Sequence, residues 1–188
     1  MDSSDAQADL DGDGISNIDE IHNGGDPSTD DVAPTITAPH NVLKPSTGFE
    51  TFVDIGEAIA TDTLNGPLPA SSSRTSGPFR PGRHIISWTT TDDLGNTAST
   101  EQFIDVIPQI NIVSGKTLEE GQVVEVGVSL NGDPVRYPVT IDYTVSGMAD
   151  NTDHTLADGQ LSLSETSGNL QFEILADTVA EGSETLII

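Results

Sequence analysis

The sequence predicts a mainly β protein: two antiparallel β-sandwiches in tandem, preceded by a short acidic loop that leads into a helix of one to two turns. Three observations carry this prediction. Apolar and polar residues alternate in short runs, as in Ile86-Ser87-Trp88-Thr89 and Val124-Glu125-Val126-Gly127-Val128. Turn-forming pairs such as Asn65-Gly66, Pro81-Gly82 and Gly95-Asn96 separate those runs. Residues 1–31 show neither pattern and instead carry acids at regular offsets. The expected organisation is therefore 1–31, 32–107 and 108–188.

In the stretch Asp9-Leu-Asp-Gly-Asp-Gly-Ile-Ser-Asn-Ile-Asp-Glu20, oxygen side chains fall at positions 1, 3, 5, 9 and 12 of a twelve-residue loop: Asp9, Asp11, Asp13, Asn17 and Glu20. Gly14 stands at position 6, where such a loop must turn sharply, and Ile15 at position 7 offers its backbone carbonyl. This is the EF-hand-like pattern of a calcium site. Calcium is a hard ion that takes six to eight oxygens at about 2.3–2.6 Å, which a short loop wound around it supplies at alternate positions. Magnesium demands a tighter octahedron and keeps more water, so it suits so many side-chain ligands less well. With no cation, Asp9, Asp11, Asp13 and Glu20 crowd like charges together at a cost in free energy. Ile18 and Ile21 lie three apart, as on one face of a short exit helix that ends at His22-Asn23-Gly24-Gly25. No amphipathic helix enters the loop, which argues against a paired, sensor-type EF-hand.

The order Asp-Leu-Asp-Gly-Asp-Gly-Ile-Ser-Asn, Asp-Glu, Gly-Gly-Asp-Pro and Asp30-Asp31 resembles one thrombospondin type 3 repeat. That family strings short calcium loops together with little apolar core. The resemblance implies that Asp26, Asp30 and Asp31 ligate a second ion, although Gly25 replaces the usual Thr.

From Val32 the pattern changes to strands. Ile86 and Trp88 share one face of a strand, as do Ile104 and Val106, and Trp88 is the expected core aromatic. Asp92, Asp93 and Asn96 occupy a Thr-Asp-x-x-Gly-Asn turn, where such side chains hydrogen-bond their own backbone, so their expected role is structural. Arg74, Arg80 and Arg83 are the one local basic cluster, expected to be a solvated loop. The segments Ala33-Pro-Thr-Ile-Thr-Ala-Pro39, Ala60-Thr-Asp62 and Ile86 to Ala98 are similar to a hyalin repeat (HYR) domain over 32–107. That resemblance implies an immunoglobulin-like module of extracellular adhesive or structural proteins.

Beyond Pro108, Val124, Val126, Val128 and Leu130 form one alternating set, Val139, Ile141, Tyr143 and Val145 a second, and Leu170, Phe172 and Ile174 a third. Leu118-Glu-Glu-Gly121, Pro138 to Thr144, Gly159 to Leu163 and Asp177 to Glu184 together resemble a Calx-β domain, again immunoglobulin-like. Some members bind calcium at one pole. Carried over by position, the implied ligands are Glu120, Asp177, Glu181 and Glu184. Two departures weaken that site: Ser146-Gly147 stands where an Asp often follows the Tyr-Thr strand, and the acids ahead of Glu181 are reduced to Asp177. Ser183 to Ile188 reads as the penultimate strand of a fold lacking its last. The expectation is a truncated domain, or an open edge to which a neighbour donates a strand.

Composition narrows the function. Six Lys and Arg against 31 Asp and Glu give a formal charge of −25, which opposes nucleic acid and anionic membranes. There is no cysteine and no long apolar run, so neither disulfides nor a spanning segment are expected. His22, His40, His84 and His154 show no metalloprotease spacing, and no nucleophile–base arrangement or phosphate-cradling Gly-rich loop stands out. The expected function is a non-catalytic, calcium-binding adhesion or structural segment of a larger secreted or surface bacterial protein. Its expected partners are calcium, neighbouring copies or further domains of the same protein, and a glycan or cell-surface protein. The alternatives are an accessory module of a secreted hydrolase, or an extracellular filament subunit joined by strand donation.

Overall fold

Alternation along the chain becomes antiparallel sheet. The structure, a computed structural model, describes residues 6–113, 115–178 and 182–188. One helix, α1 (Asn17–Asn23), comes first among the described residues. The strands that follow are β1 (Thr35–Thr37), β2 (Val42–Pro45), β3 (Thr51–Val53), β4 (Ile59–Asp62), β5 (Gly66–Leu68), β6 (Ser71–Ser72), β7 (Gly77–Phe79), β8 (Gly82–Thr91) and β9 (Thr97–Ile107). Then come β10 (Ile110–Ile112), β11 (Val123–Leu130), β12 (Val139–Tyr143), β13 (Ser146–Gly147), β14 (Gly159–Leu163), β15 (Ser167–Glu173) and β16 (Leu186–Ile187). The protein is mainly β, with one short helix, as the sequence predicts.

By Cα proximity the chain forms two compact units. The first comprises Met1–Leu43, Phe52–Pro78 and His84–Asp105, and the second Lys44–Thr51, Phe79–Arg83 and Val106–Ile188. The sheets have the orders β1-β4-β5, β2-β9-β8-β6, β3-β7, β10-β11-β15, β12-β14 and β13-β16.

In the first unit Val53, Ile55, Ala60, Ile86, Trp88 and Ile104 are buried, each contributing roughly 1.5–3 kcal/mol of apolar burial where the side chain is large. Ile86 and Trp88 point inward from β8, whereas Ile85 before them and Thr89 and Thr91 beyond them are exposed and Ser87 between them is half-buried. The polar end of Trp88 is satisfied inside the core. Its Nε1 donates to Gln102 Oε1 at 3.2 Å, and the fully buried Gln102 donates from Nε2 to the carbonyls of His40 (2.8 Å) and Ile55 (3.0 Å). A buried amide with every partner filled costs little, and it pins three separate segments to one another.

Residues 6–31 belong to this unit rather than trailing from it. A methyl group placed on Gly12 would lie 3.6 Å from Leu64 Cδ1, and one on Gly14 3.5 Å from Thr63 Cγ2, so the acidic loop lies against the turn that joins β4 to β5. Asn96 Nδ2 donates to the Asp30 carbonyl at 2.9 Å, tying the end of the segment to the turn after β8.

In the second unit β11 pairs with β15 in the register Val124↔Phe172 and Val126↔Leu170, which stacks apolar residues on one face. Val124, Leu156 and Phe172 form one buried cluster, and Val128, Leu130 and Leu163 another, the latter covered by Val139, Ile141 and Leu161. The strand expected over Ser183 to Ile188 is shorter. Only Leu186–Ile187 is extended into a ladder, and it pairs with Ser146–Gly147 of β13. No helix among the described residues is long and apolar enough to cross a membrane.

Candidate metal centre

The acidic loop is held by its own side chains. Asp9 accepts from the N–H of Gly12 on Oδ1 (2.7 Å) and from that of Gly14 on Oδ2 (3.1 Å). Asp11 Oδ1 accepts from Asp13 N–H at 3.3 Å, and Asp13 Oδ1 from Ile15 N–H at 2.8 Å. Gly14 sits at φ 97°, the left-handed conformation that the sixth loop position requires and that other residues resist. Asn17 N–H and Ile18 N–H return to the carbonyls of Ala8 (2.8 Å) and Ala6 (3.0 Å), closing the loop onto its start.

Helix α1 fixes the position of Glu20. Ser16 caps it, its hydroxyl accepting from Asp19 N–H at 3.4 Å and donating to Asp19 Oδ2 at 2.6 Å. Gly24, at φ 86°, ends it with an N–H bond to the Glu20 carbonyl. Ile18 is half-buried and Ile21 exposed, so this helix is positioned by its caps and by the loop more than by an apolar face.

The backbone bonds use one oxygen of Asp11 and one of Asp13. What remains is the unusual feature: Asp11 Oδ2, Asp13 Oδ2 and both carboxylate oxygens of Glu20 are shielded from solvent and have no hydrogen-bond partner. Asp13 and Glu20 are each only 2% exposed. One oxygen each from Asp9, Asp11 and Asp13 lies within 4.8 Å of the others, and so does one each from Asp13, Glu20 and Asp31, so Asp13 belongs to both groups. Burial, followed by the charges of Asp11, Asp13, Asp31 and Asp9, pushes the Glu20 carboxyl above its ordinary range. Buried, unpaired carboxylates facing one another are rare, because each is costly unless a proton or a cation is supplied. The donor set is all oxygen and suits a hard metal ion.

Not every residue singled out in the sequence contributes alike. Asn17 Oδ1 accepts from Leu10 N–H at 3.0 Å, so this side chain braces the loop. Ile15 is half-buried, and its N–H serves Asp13. The trio Asp26, Asp30 and Asp31 is divided. Asp26 is exposed and accepts from Ser28 N–H (3.1 Å) and Oγ (2.7 Å) in a local turn. Asp31 joins Asp13 and Glu20, whereas Asp30 groups with Asp62 and Asp92. Gly25 explains how Asp31 gets in: a Cβ there would fall 2.6 Å from Asp31 Oδ2.

No family profile, no curated protein and no solved structure matches the chain. The assignment of a role therefore rests on the geometry of these carboxylates.

In the second unit Glu120, Asp177 and Glu184 are exposed and line an open cleft with Lys116, Asp153 and His154. Glu181 lies outside the described residues. Among the described residues these acids do not converge on one another as the N-terminal ones do. His154, whose sequence spacing suggests no metal or catalytic role, is buried at the side of this cleft with neither ring nitrogen hydrogen-bonded. Only its tertiary placement, bridged to Ile174, brings it there.

Proposed function

We propose that this chain is a non-catalytic, calcium-binding structural or adhesive segment of an extracellular protein, in which the ion orders residues 6–31 against the first β unit. The observation that carries this reading is the set of four buried, unpartnered oxygens on Asp11, Asp13 and Glu20, placed on a loop whose spacing suits calcium. Asp9, Asp11, Asp13, Glu20 and Asp31 are the ligands, and Asn17 holds the loop in shape. The bound ion supplies positive charge that offsets the mutual repulsion of these acids. Binding free energy becomes folding free energy for a segment with little apolar core of its own.

The resemblance to thrombospondin type 3, HYR and Calx-β modules supports the extracellular setting, and a charge of −25 suits a saline, calcium-containing medium that offsets its self-repulsion. Sites of this kind in extracellular modules bind calcium at roughly 10⁻⁴–10⁻³ M. Calorimetric titration of the whole chain with calcium, paired with limited proteolysis with and without chelator, tests the proposal. Saturable binding and calcium-dependent protection of residues 6–31 are expected. Absence of binding heat, with equal cleavage in both conditions, would overturn it.

A further inference from the structure

Three carboxylates from distant parts of the first unit meet beyond the acidic loop. Asp30 precedes β1, Asp62 ends β4, and Asp92 follows β8. One oxygen of each lies within 4.8 Å of the other two. We infer that Asp30, Asp62 and Asp92 form a second divalent-cation site, of the calcium class, which fastens the N-terminal segment to the β unit.

The three side chains are arranged alike. Each turns Oδ1 toward backbone amides: Asp30 to Val32 N–H (3.0 Å), Asp62 to Leu64 (2.9 Å) and Asn65 (2.8 Å), Asp92 to Leu94 (2.9 Å), Gly95 (2.7 Å) and Asn96 (2.8 Å). These amides hold the carboxylates in place, and so account for the structural role that the turn sequences predict. They do not account for the second oxygens. Oδ2 of Asp30 and Oδ2 of Asp92 are shielded from solvent with no hydrogen-bond partner, on residues 3% and 7% exposed. Asp62 is 9% exposed. Nothing in the turns requires three acids to face one another; Asn or Ser would accept the same amide bonds.

Electrostatics point the same way. Burial raises the Asp30 carboxyl, and the charged groups that raise it further are the carboxylates of Asp62, Asp92 and Asp13. The amide bonds hold the Asp92 carboxyl low despite its burial, so Asp92 carries charge at neutral pH. A hard divalent ion resolves such an arrangement, since it takes one oxygen from each acid and fills its remaining positions with carbonyls or water. Asp30 and Asp31 are neighbours in the chain but belong to different groups, Asp31 with Asp13 and Glu20. One dipeptide thus joins both sites, and binding at either orders the same backbone.

The test uses Asp62→Asn and Asp92→Asn in the whole chain, because Asn keeps an oxygen for the amide bonds and removes the charge. Calcium calorimetry on each is compared with wild type and with Asp13→Asn, and Trp88 fluorescence reports that the core is intact. Loss of one ion per chain in Asp62→Asn and Asp92→Asn, with binding at the loop retained, is the expected result. Unchanged stoichiometry and affinity in both would overturn the inference while leaving the loop reading intact; loss confined to Asp13→Asn would do the same. Should the variants fail to fold, anomalous diffraction from wild-type crystals grown in calcium decides it. A peak among Asp30, Asp62 and Asp92 supports the site. A filled loop with no peak there overturns it, and no peak at either place overturns both readings.

Discussion

Two acidic regions of this molecule look alike in sequence and differ in structure. Around residues 9–31, Asp11, Asp13 and Asp30 each turn one oxygen to a backbone amide and leave the other buried and unpartnered, and both carboxylate oxygens of Glu20 are buried and unpartnered. Around Glu120, Asp177 and Glu184 the acids face solvent along an open cleft. Acid density is therefore a poor guide to which carboxylates are buried together. What distinguishes the first region is that short turns and a capped helix fix each carboxylate before any ion arrives, while the surrounding chain removes the water that would otherwise solvate it.

Removing calcium is the sharpest way to separate the two regions. At calcium about 100-fold above the dissociation constant, chelation should remove roughly 2.7 kcal/mol from the first unit, read as a downward shift of its thermal transition. The second unit should keep its transition. Equal shifts in both would erase the contrast. Glu20→Gln should weaken calcium binding by at least the roughly tenfold that losing a mere outer-shell partner costs. Its effect on the chelated protein should have the opposite sign, raising the melting temperature, because a buried charge among Asp11, Asp13 and Asp31 is gone. Calorimetry and melting curves of one sample pair check both halves.

Gly25→Ala places a methyl group 2.6 Å from Asp31 Oδ2 and should cost about 1–3 kcal/mol of calcium-loaded stability. Denaturant unfolding with calcium measures this. pH then sharpens the electrostatic side. Glu20 and Asp30 have raised carboxyls in the cation-free fold, so they bind protons more readily folded than unfolded. Their contribution is full below the ordinary carboxyl range and is lost as pH rises through the raised values. Chelated protein should therefore lose stability from this source on going from acidic to neutral pH. Calcium-loaded protein should show the reverse slope, since protons compete with the ion. Parallel slopes in melting curves across that range would contradict the account. The smallest effect is expected in the cleft of the second unit. There Glu120→Gln and Glu184→Gln should change stability by no more than about 0.5 kcal/mol and leave calcium stoichiometry unaltered by calorimetry.

Much of the architecture was legible along the chain. The alternation at Ile86 and Trp88, and at Val124, Val126 and Val128, reads directly as strands with one buried face, because side chains in a strand alternate with period two. The exit helix was legible too, since the spacing of Ile18 and Ile21 and the stop at Gly24 are local signals that need no distant partner. Gln102 was not. Nothing near Gln102 in sequence indicates that its amide joins Trp88, His40 and Ile55. The thrombospondin-like resemblance groups Asp26, Asp30 and Asp31 around one ion, and space separates them into three surroundings. Leu186–Ile187 pairs with Ser146–Gly147, about forty residues before it in the chain and adjacent only through the fold.

From the sequence alone come the strand periodicity, the turns and the twelve-residue spacing of loop oxygens, since each depends on residues within one or two turns of backbone. Tertiary structure alone decided which carboxylates lose their water and which face one another: Asp31 beside Glu20, and Asp30 with Asp62 and Asp92. The reason is physical. Local patterns set backbone conformation, but desolvation and charge–charge energy depend on distances through space, and those exist only once separate strands have closed over the same few ångströms.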